Sequence, residues 1–162
     1  MSDRGLLSEK REFQMFTDLV LASAHHLLVF LLAAIIAMEA VIVRPDMSGG
    51  GARFLSRIDA YYGATAALVL LIGIARVLFG LKGWEAYVYN WAFWLKMAAF
   101  VMVGLLSIRP TRQIRKWRKN ADEGAFTPLP DDVAKVRGSI LAQIGVFALI
   151  PVLAATMARY GY

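Results

Sequence analysis

Residues 16–43 read FTDLVLASAHHLLVFLLAAIIAMEAVIV. Only Asp18 and Glu39 in this stretch carry a formal charge. A helix needs about 20 mostly apolar residues to cross the hydrocarbon of a bilayer, so this segment alone predicts a transmembrane span. It ends at Arg44-Pro45, a charge followed by a residue that stops helices. Three further stretches qualify on the same ground: 60–79 ending at Gly80, 88–108 closed by Arg109-Pro110, and 136–157. Helices are expected rather than strands, because an open sheet edge cannot satisfy its backbone groups in lipid. The spans are also too long and continuous for barrel strands. The predicted fold class is all-α, a polytopic membrane protein built as a four-transmembrane-helix bundle.

Composition agrees. Of 162 residues, 59% are hydrophobic, and mean hydropathy is +0.55, whereas a soluble domain is about half apolar. The length suits one membrane domain, residues 1–162. The absence of cysteine excludes disulfides, thiolate metal sites, iron–sulfur clusters and cysteine nucleophiles. Segment 1–15 is polar and mixed in charge, unlike a signal peptide, so the first span is read as retained.

The connections set orientation. The 109–135 segment is read as a long cytoplasmic loop with Arg109, Arg112, Arg115, Lys116, Arg118, Lys119, Lys135 and Arg137. The Gly-rich loop before the second span adds Arg44, Arg53 and Arg57 on the same side. The opposite side holds Arg4, Lys10, Arg11, Lys82 and Arg159. By the positive-inside rule the termini are expected outside the cytoplasm. In a bacterium that means a multi-pass inner-membrane protein with both termini periplasmic. The basic run is read first as a topology signal on a solvated helix extension, and second as a surface for anionic lipid. Topology accounts for the net charge of +6, so no nucleic-acid partner is expected.

Ionisable residues at membrane depth are costly and are functional candidates. His25 and His26 lie in the first span, Arg76 near the end of the second and Lys96 in the third. In an up-down arrangement these residues share the non-cytoplasmic half. A neutral imidazole can ligate haem iron axially. Adjacent helical residues point about 100° apart, so His25 and His26 cannot both ligate one metal. The bland alternative is a histidine hydrogen-bonded to a neighbouring helix. Arg76 can clamp an anion or anchor at the interface. Lys96 can face a ligand carboxylate or snorkel to the headgroups. Glu39, in the opposite layer, is expected to form an ion pair with Arg57 or Arg109, with a proton-relay role as the alternative. No helix broken within a span is evident, although Pro151 can kink the fourth.

The stretches DAYYGATAALVLLIGIARVLFGLKGWEAYVYNWAFWLKM (59–97) and LLSIRPTRQIRKWRK (105–119) resemble the uncharacterised bacterial membrane proteins grouped as domain of unknown function 2214. Gly63, Arg76, Gly80, Lys82-Gly83, Asn90, Trp94, Lys96 and Pro110-Thr111 carry that resemblance. It implies no activity. AHHLLVFLLAAIIAMEAVIVRP (24–45) and FWLKMAAFVMVGLL (93–106) are similar to the first and third helices of HemJ-type protoporphyrinogen oxidases. Those and the CopD-like proteins are compact helical membrane proteins. The similarity places His26 or His25 at the HemJ histidine and Lys96 at its lysine, and implies haem b. The HemJ third helix continues to a further histidine where this chain has Leu105-Leu106-Ser107, so the oxidase activity is not carried over.

Two readings follow. One is a haem-b-binding protein in a redox or haem-handling role, with cofactor contacts at His25, His26, Lys96 and Arg76 and the metal on His26 or His25. A methionine such as Met97 is a further candidate ligand. The other is a non-catalytic accessory or assembly subunit of a larger membrane complex, or a homo-oligomer. A small transporter is the least favoured class.

Overall fold

The computed structural model describes residues 3–81, 83–124 and 126–159, with side chains from Ser8 onward. Lys82 and the side chain of Arg4, both used in the charge balance, lie outside the described residues. The elements are α1 (Asp3–Ile42), α2 (Gly49–Phe79), α3 (Glu85–Val88), α4 (Trp91–Asp122), α5 (Pro130–Phe147) and α6 (Leu149–Arg159). Among the described residues no strand occurs. Four helical stretches there are long and apolar enough to cross a membrane: Ser8–Ile42, Gly49–Phe79, Trp91–Asp122 and Pro130–Arg159.

A narrow inner stripe on each helix makes the core. On α1 it is Leu32, Ile36 and Glu39, continued by Val43 just past its end, all buried and spaced four, three and four apart, one face of a 3.6-residue helix. Leu55, Val103, Ile114, Val136 and Ile140 meet it from α2, α4 and α5. The outward face is equally apolar. Leu27, Phe30, Leu71 and Val101 are well exposed, which suits lipid and would be unfavourable in water.

The helices outrun their apolar segments. α2 has 31 residues, about 46 Å of helix against roughly 30 Å of hydrocarbon. Its first turn is Gly49-Gly50-Gly51, predicted to be loop. Two contacts override the poor helix propensity of glycine. Ser48 caps the turn, its Oγ accepting from the Gly51 N–H at 3.2 Å. A Cβ at Gly49 would lie 3.5 Å from Ala121 Cβ, an ordinary contact, so the start of α2 packs beside the end of α4.

The predicted loop 109–135 is also shorter than expected. α4 runs through Pro110 to Asp122, and only residues 123–129 separate it from α5. Pro110 removes one backbone donor, but buried Ile114, Trp117 and Ala121 hold the following turns in the bundle. Arg112, Arg115, Lys116, Arg118 and Lys119 are therefore exposed on a helix. Arg53 ties this end together. Its Nε meets Asp122 Oδ1 at 2.8 Å, and its Nη2 donates to the Ala121 carbonyl at 2.6 Å.

The fourth span divides at Ala148, which corrects the expectation of unbroken helices. Pro151 cannot donate to the Phe147 carbonyl four residues back, and its ring crowds that carbonyl. At the far end Asn90 starts α4, its Oδ1 accepting from the Ala92 N–H at 2.9 Å. Its Nδ2 reaches the Met157 carbonyl at 3.5 Å, joining α4 to the last turns of α6.

Candidate functional site

Two levels of the bundle carry polar groups, and helix pairing sets both. At one level His25 of α1 rests on Gly73 of α2; at the other Asp59 of α2 is bonded to Thr111 of α4. His25 and Glu39 are 14 residues apart on α1, about 21 Å along its axis.

The outer level opens into a cavity of about 220 Å³. His25, Arg76 and Lys96 line it from three helices, with Phe93, Met97 and Met157. An adjoining cavity of about 490 Å³ shares His25, Arg76, Tyr87 and Lys96 and adds His26 and Asn90. The first space alone is below the usual range for small-molecule sites, roughly 300–1,000 Å³, and the pair together reaches it.

Three of the sequence-predicted residues therefore converge. His25 is half-buried and lines both cavities, while His26 is exposed and lines only the adjoining one. Their ring centroids are 6.3 Å apart with planes at 86°, as their adjacency on one helix requires. His26 Nδ1 pairs with the Ala22 carbonyl one turn back at 2.7 Å, which leaves Nε2 facing outward. His25 Nδ1 and Arg76 Nε are buried and make no hydrogen bond among the described residues. Both Arg76 and Lys96 lack a carboxylate partner there. Lys96 Nζ instead sits 5.7 Å from the centroid of the Phe93 ring, one turn earlier on α4.

The walls are mostly apolar, so this is a cavity with two cations and an imidazole whose Nδ1 makes no hydrogen bond among the described residues. Such an arrangement favours an anion with a flat apolar body. Among the described residues no group of three or more His, Cys, Asp or Glu is placed to hold a bare metal ion. A porphyrin iron needs only one or two protein ligands, so this says nothing about haem.

Tyr87, Asn90 and Met157 were not singled out as site residues in the sequence. Tyr87 belongs to the short interfacial helix α3. Met157 reaches the cavity because α6 follows the break, and Pro151 was the signal for it.

Glu39 is corrected. It is 2% exposed, and Oε1 has no hydrogen-bond partner. It forms no ion pair among the described residues, and Arg57 and Arg109 are exposed. The core stripe turns Glu39 inward, whereas the two arginines carry their heads outward along apolar stems.

A family model described as "Predicted membrane protein (DUF2214)" matches residues 17–161. No curated protein and no solved structure matches the chain.

Proposed function

The chain belongs to the DUF2214 family of predicted membrane proteins, and from its outer cavity we propose that it binds an anionic, largely planar ligand, haem b being the group that fits. One observation carries this reading: His25, Arg76 and Lys96 border a single apolar cavity, and among the described residues no carboxylate pairs with either cation. In this reading His25 is the axial ligand. Arg76 and Lys96 hold the propionates, Arg76 through its planar fork and Lys96 as a point charge. His26, turned outward, is not a ligand. Haem supplies one-electron redox chemistry when bound, which suits a redox or haem-handling role.

The positive-inside rule supports a bacterial inner-membrane location with periplasmic termini, and the cavity then lies in the periplasmic half. The exposed cations of the α4 extension then sit at the cytoplasmic surface, where anionic lipid heads are attracted.

Haem content of the detergent-purified chain, from cells supplied with iron and haem precursor, tests the proposal. About one haem per chain is expected for a single His25 site. A chain without haem contradicts it, and leaves an accessory or assembly subunit of a larger membrane complex as the better account.

A further inference from the structure

The two polar levels leave opposite atoms unsatisfied. In the outer cavity the unpaired atoms belong to Arg76 and His25; in the inner layer they are acceptors, Glu39 Oε1 and Gln143 Oε1. Both inner residues are almost wholly buried, at 2% and 1% exposure. Arg137 of α5 donates to the Val43 carbonyl of α1 at 3.4 Å, which sets the register of these two helices. From that anchor Gln143 is six residues along α5 and Glu39 four residues back along α1, so helix rise puts them within about one turn of the same level.

Asp59 of α2 lies at the level of Glu39: from the His25–Gly73 contact, Glu39 is 14 residues on along α1 and Asp59 14 residues back along α2, and the two carboxyls interact. Asp59 is 6% exposed, and its Oδ1 accepts from the Thr111 hydroxyl at 2.6 Å. Tyr62, buried one turn further on α2, faces the Ser107 hydroxyl of α4. Arg115 of α4 is the cation nearby, acting on Asp59. The side chains at this level carry oxygen: Glu39 from α1, Asp59 and Tyr62 from α2, Ser107 and Thr111 from α4, with Gln143 of α5 within about one turn.

Arg115 acts on Asp59 alone, so a charge on Glu39 has no cation to compensate it among the described residues, and a buried uncompensated charge is strongly unfavourable. The layer has a route to water. Asp59 lines an open pocket of about 530 Å³ whose rim mixes Arg115, Arg118 and Lys119 with Asp122 and Glu123. We propose that Glu39 and Asp59, with the oxygens of Tyr62, Thr111 and Gln143, form a binding site for a small hard cation, a proton or Na⁺, loaded through the Asp59 pocket. Oxygen-only ligands suit hard cations. The site does not depend on the haem reading.

The test is the melting temperature of the detergent-purified full chain, wild type against Glu39→Gln. It is measured across pH in choline chloride, then at fixed pH with NaCl replacing choline. A cation that binds only the folded chain raises its stability. Wild type is expected to gain several degrees from lower pH if the site takes a proton, or from NaCl if it takes Na⁺, and Glu39→Gln to lose most of that gain. Parallel profiles for the two chains in both series overturn the proposal. If Glu39→Gln does not fold, carbodiimide labelling of wild type decides. A Glu39 adduct suppressed by higher pH or by Na⁺ supports the site; no adduct, or one indifferent to both, overturns it.

Discussion

His25 is seated by Gly73: a Cβ at that glycine would stand 3.2 Å from His25 Cε1, closer than ordinary van der Waals contact. The imidazole thus occupies the place of a missing side chain on α2. Gly73→Ala is expected to push the ring toward the cavity without unfolding the bundle, because only the side chain must shift. In the haem reading the oxidised Soret band then moves and haem is lost more readily. Absorption spectra of wild type and Gly73→Ala check this, and identical spectra would remove Gly73 from the account.

Arg76 and Lys96 are expected to act on affinity for anions. Hydrogen bonds to charged groups are worth about 1.5–3 kcal/mol, so Arg76→Gln should weaken haemin binding by roughly 10- to 100-fold. Arg76→Lys keeps the charge and loses the fork, so it should fall between. Titration of the haem-free chain with haemin in detergent measures the order.

Arg53 joins α2 to α4 through a half-exposed ion pair and one hydrogen bond to the Ala121 carbonyl. The ion pair contributes little in water, and the hydrogen bond about 1–2 kcal/mol. Arg53→Ala should lower the melting temperature while leaving ligand binding unchanged. A loss of binding at unchanged stability would show that the two ends of the bundle are coupled.

The chain has no cysteine, so single cysteines report topology directly. Asp46→Cys, between α1 and α2, and Glu85→Cys, on α3, lie at opposite ends of the bundle. In intact cells a membrane-impermeant maleimide applied from the periplasmic side should label the second and not the first. The reverse pattern would place the outer cavity on the cytoplasmic side.

The bundle was legible because lipid imposes a length and composition that composition alone can meet, as in residues 16–43. Local breakers misled where packing outweighed them. Gly49-Gly50-Gly51 is helical because Ser48 caps it and the start of α2 packs beside Ala121 at the end of α4. Pro110 is carried through by the buried turns after it. Pro151 did interrupt its span, because it lacks the donor for the Phe147 carbonyl and its ring crowds that group, and α6 follows from Leu149. At the site, His25, His26, Arg76 and Lys96 were visible as ionisable residues at one depth. The choice between the histidines was not, since adjacent residues have the same depth and only the direction of α2 separates them. Glu39 was misassigned for a related reason: cations near in sequence level do not reach a side chain on the core stripe.

The most direct measurement is the oxidised and dithionite-reduced absorption spectrum of the detergent-purified chain, beside His25→Ala and His26→Ala from the same haem-sufficient cells. The account predicts a Soret band in wild type, retained in His26→Ala and abolished or strongly shifted in His25→Ala. A band that survives His25→Ala unchanged, or a wild-type spectrum with no Soret band, contradicts it.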